Sequence, residues 1–222
     1  METKFSRICL AAGMSAAAAL AASNASADHR REVPESVEVS DLYKFSANPS
    51  AQDKVVGGAI LIRDFKNRVV DATLTTSALS PGHVYSIWVA VFNNPWFCSA
   101  PCGIDDLPFQ GGNPRIDTSV FWGGGFIADA NGNGSTSLKI VPGRTGRELF
   151  APAMSNDSGL RQDRLVWAHI HLVLRDHGLP VQGQVARQIG TASEACNPDP
   201  KYPPPAGQTC FNAFASFHPA LR

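Results

Sequence analysis

The chain reads as all-β: a single β-sandwich, or a Greek-key or barrel-like variant, with long disulfide-stapled loops. Three observations predict this. Short β-branched and aromatic runs alternate with turn signals along the chain. No segment sustains a helical period, and no repeat of roughly 20–50 residues is present. The cysteines fall in Pro- and Gly-rich stretches of a chain that opens like an exported one.

Residues 1–27 read as a cleaved signal peptide. Lys4 and Arg7 supply the positive start, Ile8 to Ala22 the apolar stretch, and Ala25-Ser26-Ala27 the cleavage site. The mature chain then starts at Asp28. Residues 28–54 are expected as a polar lead-in, 55–195 as the β domain, and 196–222 as a Pro-rich tail docked on it. No later segment is apolar for long enough to span a bilayer. Losing Glu2, Lys4 and Arg7 leaves one net negative charge, so no electrostatic argument exists for nucleic acid.

Within the domain, Val55 to Arg63 and Val69 to Ser77 read as strands joined by a hairpin loop at Asp64–Arg68. Val84 to Phe92 is nearly all apolar and reads as a central strand covered on both sides. The long loop from Trp96 to Arg115 exceeds an ordinary hairpin connection, which fits a binding role or a local staple. Thr118 to Ala128 and Ser135 to Val141 are expected as a hairpin about Asp129–Gly134, with a bulge at Gly123-Gly124-Gly125. One helical turn is expected near Arg147–Phe150, a short strand over Val181 to Ile189, and a terminal helix presenting Phe211, Phe214 and Phe217.

Cys9 leaves with the signal, and four cysteines remain. Four cysteines allow three pairings. The local pairs Cys98–Cys102 and Cys196–Cys210 are preferred because each closes a short loop. A four-cysteine zinc site does not suit the C-x3-C and C-x13-C spacings.

The candidate site lies in Leu165–Gly178, read as one strand. Side chains alternate, so Val166, Ala168, Ile170, Leu172 and Leu174 form a core face. Trp167, His169, His171, Val173 and Arg175 share the other, with His177 just beyond. Imidazoles at i and i+2 point to metal binding, copper or zinc, on His169, His171 and His177. His83 or His218 would supply a fourth ligand if the fold brings one near, and Asp176 would orient a ring. Arg175 opposes a cation and suits an anion such as carboxylate. The plainest alternative is a hydrogen-bonded sheet face with no ligand. Trp167, Arg175 and Trp96 are the candidate ligand-binding residues, Trp96 as a sugar-stacking ring, while Trp88 reads as core.

Other chemistry is weaker or excluded. Asp129-x-Asn131-x-Asn133-Gly134 opens like an EF-hand loop, but Ile140 stands where the bidentate Glu belongs. Asp105-Asp106 are adjacent and so point apart. A blue-copper ligand set, G-x-S-x-G, a P-loop and a dinucleotide fingerprint are all missing.

Four segments carry a resemblance: Gly82–Trp88, Phe92–Pro95 with Cys98 and Cys102, Gly125–Gly132, and His171–Gly178. Together they resemble a group of uncharacterised exported bacterial all-β proteins, over most of residues 55–218. The resemblance implies export and an all-β fold and carries no catalytic assignment. A faint likeness to copper/zinc superoxide dismutase and to CHRD-type domains rests on His169-x-His171. The dismutase's further histidines are not at their spacings here, so its activity is not carried over. The expected role is an exported, non-catalytic binder of a small molecule, glycan or metal ion at the His169/His171 face. The alternatives are a copper- or zinc-dependent secreted enzyme of redox or hydrolytic type, and a structural envelope-associated protein.

Overall fold

A computed structural model describes residues 35–46, 51–99, 101–143 and 159–221. Among them are eight strands: β1 Ser36–Lys44, β2 Lys54–Asp64, β3 Val69–Thr76, β4 Val84–Phe92, β5 Thr118–Ile127, β6 Gly134–Ile140, β7 His169–Asp176 and β8 Phe211–His218. They form one antiparallel sheet in the order β5-β4-β7-β8-β1-β2-β3-β6. The edge strands meet: the Phe126 ring of β5 sits where Gly134 of β6 has no room for a Cβ. The sheet therefore curls into a nearly closed barrel, the barrel-like form of the all-β fold expected. Its interior is filled by Leu42, Leu61, Leu74, Ile87, Val89, Ile170, Leu172 and Leu174, all fully buried.

Five of these strands, β2 to β6, fall within one residue of their predicted bounds. Gly123 is the extra residue of a bulge opposite Ile87 and Trp88, as the glycine run predicts. Both predicted disulfides form, with Cα–Cα separations of 5.3 and 5.4 Å. The loop after β4 folds back over the outer face of β4 and β5, burying Ala90, Phe92, Cys102, Leu107, Ile116 and Val120 together. Every residue of β4 is thus buried, as its apolar sequence implies.

Several expectations are corrected. The lead-in 28–54 contains β1, which runs between β8 and β2 at the centre of the sheet. It reads as polar because its inward positions include Ser36 and Glu38, opposite Arg63 and Leu61, while Val37 and Val39 face solvent. The tail 196–222 contains β8, an integral strand inserted between β7 and β1, not a docked helix. Residues 181–190 turn into a short helix, α1 Val185–Gly190, where a strand was expected. The Asp129 turn forms, its carboxylate accepting from the Asn131 and Asn133 N–H groups at 2.8 and 2.7 Å. It does not make a hairpin: β5 pairs with β4 and β6 with β3, so the turn carries the chain from one sheet edge to the other. Finally, β7 starts at His169; Trp167 and Ala168 donate their N–H groups to the Arg164 carbonyl in a helical turn. The signal segment and the turn at Arg147–Phe150 lie outside the described residues.

One end of the barrel is closed by a charge. Arg63 is fully buried and pairs with Glu38 at 2.5 Å. Its guanidinium also donates to the carbonyls of Leu165 (2.6 Å), Ala168 (2.9 Å) and Pro219 (3.4 Å). This one side chain ties β2 to β1, to the turn before β7 and to the chain after β8. Removing one partner of a buried pair leaves the other charge uncompensated. Glu38→Ala should therefore lower unfolding stability by about 3 kcal/mol, read from the urea midpoint.

Candidate functional site

The outer face of β7 presents His169, His171, Val173 and Arg175 in alternation, as the period predicts. His171 lies opposite Ala90 of β4 and Phe217 of β8. Its ring is held between Phe92 and Phe217, with centroids 4.9 and 4.7 Å away, and only 7% of the residue is exposed. No hydrogen bond engages the ring among the described residues. It borders a cavity lined by Trp88, Ala90, Phe92, Val173 and Phe217, with Ile104 and Leu107 of the disulfide loop overhead. The cavity holds about 80 Å³, and about 670 Å³ with its open mouth. Ser46 Oγ and Asn212 are the other polar side chains of its wall, and Ser46 Oγ is buried without a partner among the described residues.

Burial holds the His171 pKa down to about 3, and His169 and His218 add to the shift. The ring is therefore neutral at ordinary pH, offering one donor and one acceptor nitrogen. An apolar cavity with a few uncommitted polar groups, here His171 and Ser46 Oγ, is the usual make-up of a small-molecule pocket.

The other predicted site residues are placed differently. The three imidazoles do not converge. His169 pairs with Phe92 at one end of β4, whereas Asp176, next to His177, pairs with Tyr85 at the other. A strand rises about 3.3 Å per residue, so eight residues carry His177 far along the sheet. His177 is fully buried beside Ser86 (2.8 Å) and Cys210 (3.2 Å). Arg175 is committed to the Ala192 carbonyl, to Asn212 Oδ1 (2.9 Å) and to the Cys210 carbonyl (3.1 Å), where it clamps the chain leading into β8. Trp167 is 48% and Trp96 56% exposed; neither lines the cavity, and Arg164 lies over the Trp96 ring at 5.5 Å. Trp88 is buried as expected, at 3% exposure, and from the outer face of β4 it also lines the cavity.

Neither histidine considered as a fourth ligand reaches His169 or His171. His83 binds Asp176 through Nδ1 at 3.0 Å, and Asp176 also accepts from Tyr85 Oη (2.9 Å) and the Gly178 N–H (2.7 Å). Asp176 thus orients His83 rather than a β7 histidine. His218 faces inward, 3.3 Å from Ser216 Oγ. Among the described residues, two groups have ligand atoms close enough for one ion: His177 with Cys196 and Cys210, and Asp106 with Cys98 and Cys102. In both, two of the three atoms are sulfurs already joined in a disulfide.

Trp88 was legible as an outer-face residue only through its parity with Ala90 and Phe92. Asn212 and Phe217 of β8 and Ser46, just after β1, come from segments remote in sequence, and no local pattern marks them. No protein family, curated protein or solved structure matches this chain.

Burial also holds His177 and His218 down to about 4, with Arg175 and Arg63 respectively adding repulsion. All three pKa values lie below that of an unfolded histidine, so the unfolded chain binds more protons. Their contribution is complete above about pH 6.5 and is lost as pH falls through the folded values. Each group removes up to about 1.4 kcal/mol per pH unit in that window. Urea unfolding should therefore show a loss of about 5 kcal/mol between pH 7 and pH 5, and His171→Phe should flatten that dependence.

Proposed function

We propose that this is an exported, non-catalytic binding protein whose ligand is a small apolar molecule carrying one uncharged hydrogen-bonding group. The observation that carries the reading is the apolar cavity at His171, whose neutral ring has no partner among the described residues. An apolar body about the size of one or two rings, or a short acyl chain, suits the space beneath the disulfide loop. A hydroxyl, aromatic amine or carbonyl on that body would meet the imidazole. A carboxylate suits the site less, because Arg175 is spent on main-chain carbonyls and Asn212. A glycan suits it less, because Trp96 and Trp167 stand apart from the cavity. Export is supported by the signal-like residues 1–27 and by two disulfides, which persist in oxidising compartments. Among the described residues no helix is long and apolar enough to cross a membrane.

The test is calorimetric titration with 1-naphthol, an apolar two-ring molecule with one hydroxyl. Saturable binding near one per chain is expected. His171→Phe should weaken it about tenfold, the worth of one hydrogen bond, and Val173→Trp, which fills the cavity, should abolish it. Binding indifferent to both substitutions would sink the reading. Stoichiometric zinc or copper in the purified protein, lost in His169→Ala/His171→Ala, would replace it with a metal centre.

A further inference from the structure

The two disulfides sit in opposite electrostatic surroundings. Cys98–Cys102 lies against the carboxylate of Asp106, which also accepts the Gly103 N–H at 2.9 Å. A carboxylate beside a sulfur opposes formation of a thiolate. Cys196–Cys210 lies instead against His177, with the Arg175 guanidinium 3.1 Å from the Cys210 carbonyl. The other charged groups nearby face elsewhere. Asp176 is occupied by His83, Tyr85 and the Gly178 N–H, and the Glu194 carboxylate pairs outward with Arg187 at 2.8 Å.

The tautomer of His177 follows from its neighbours. Trp88 Nε1–H donates to Ser86 Oγ at 2.9 Å, and Ser86 Oγ lies 2.8 Å from His177 Nε2. Both Ser86 and His177 are fully buried. If Nε2 carried the proton, the Ser86 hydroxyl would face two donors and have no acceptor there for its own hydrogen. The arrangement that satisfies every group has Ser86 donating to Nε2, which places the ring proton on Nδ1. That N–H stands 3.2 Å from Cys210 Sγ, and the Glu194 main-chain carbonyl is a second acceptor for the ring. Cys210 is only 5% exposed, whereas Cys196 is partly open to solvent. An attacking thiol reaches Cys196, and the sulfur that leaves is the one beside the donor.

We propose that Cys196–Cys210 is an exchange-active disulfide, with His177 as the group that receives the leaving sulfur. A thiolate of a dithiol reductant attacks Cys196 Sγ and forms a mixed disulfide with it. The Cys196–Cys210 bond breaks, and Cys210 departs as a thiolate that accepts a hydrogen bond from His177 Nδ1–H. The reductant's second thiolate then displaces Cys196, leaving two reduced cysteines and one oxidised dithiol. Run backwards, the same steps oxidise a bound dithiol. His177 is a positioning residue here: it makes no bond to the reductant and acts on Cys210. The inference stands apart from the cavity and does not depend on its ligand.

The test reduces the full oxidised chain with dithiothreitol at pH 7, traps thiols by alkylation at intervals, and follows each disulfide by peptide mass. His177→Phe should slow opening of Cys196–Cys210 about tenfold, the worth of a hydrogen bond to a charged group, and leave Cys98–Cys102 unchanged. His177→Asn, which keeps an N–H donor near the Nδ1 position, should retain most of the wild-type rate. Unchanged rates, or equal changes at both disulfides, would overturn the proposal. Should His177→Phe fail to fold, Cys196→Ser leaves Cys210 free beside an intact His177. Its thiolate absorbance should then titrate below the ordinary cysteine value of about 8.5, and a midpoint at or above that value overturns the proposal equally.

Discussion

The two-sided burial of β4 is the constraint on which the rest of the structure depends. All nine of its residues are buried, so each face must be covered by something else. Tyr85, Ile87, Val89 and Val91 meet the barrel core. Trp88, Ala90 and Phe92 on the opposite face need a second cover, supplied by the loop from Pro95 to Ile116 and by β8. The Cys98–Cys102 bridge holds that loop in a compact form. Where loop and sheet do not meet, the cavity at His171 remains. The candidate site is thus the unfilled part of an outer layer whose main task is to keep a hydrophobic strand from water.

Charge and hydrogen bonding organise the two ends of the barrel. Arg63 with Glu38 closes one end, and Asp176 with His83 and Tyr85 anchors the other. Both are buried polar clusters, which hold only because their donors and acceptors are matched. The histidines divide accordingly. Among the described residues His83 and His177 are built into polar contacts within the fold, His218 meets Ser216, and His171 sits between Phe92 and Phe217 at the cavity. The same desolvation that keeps His171 neutral makes it a hydrogen-bonding group rather than a charge. That is why the geometry favours an uncharged ligand over the anion its neighbour Arg175 first implies.

Strands with strong alternation or a continuous apolar run were legible to within a residue, as β2 to β6 show. Segments whose polarity was inverted or diluted were not. Ser36–Lys44 places Ser36 and Glu38 inward, Glu38 against Arg63, and a reading that equates inward with apolar misses the strand. Phe211, Phe214 and Phe217 show a spacing of three that mimics a helix, although their backbone pairs with β7 and β1. The Asp129 turn has all the local chemistry of a hairpin. Turn chemistry reverses the chain but does not choose its partner strand, and here the partners lie on opposite edges.

The sequence by itself determined the all-β class and the outward placing of His169 and His171, and it favoured the local pairing of the four cysteines over two other pairings. These rest on period-two alternation and short-range closure, which a single segment carries within itself. Only the tertiary structure decided that His177 stands apart from His171, that Arg175 clamps main chain, and that Trp88 rather than Trp96 walls the cavity. Those outcomes depend on which strands lie side by side. In a sheet ordered β5-β4-β7-β8-β1-β2-β3-β6, β7 gains its neighbours from segments dozens of residues away, so no local pattern contains them.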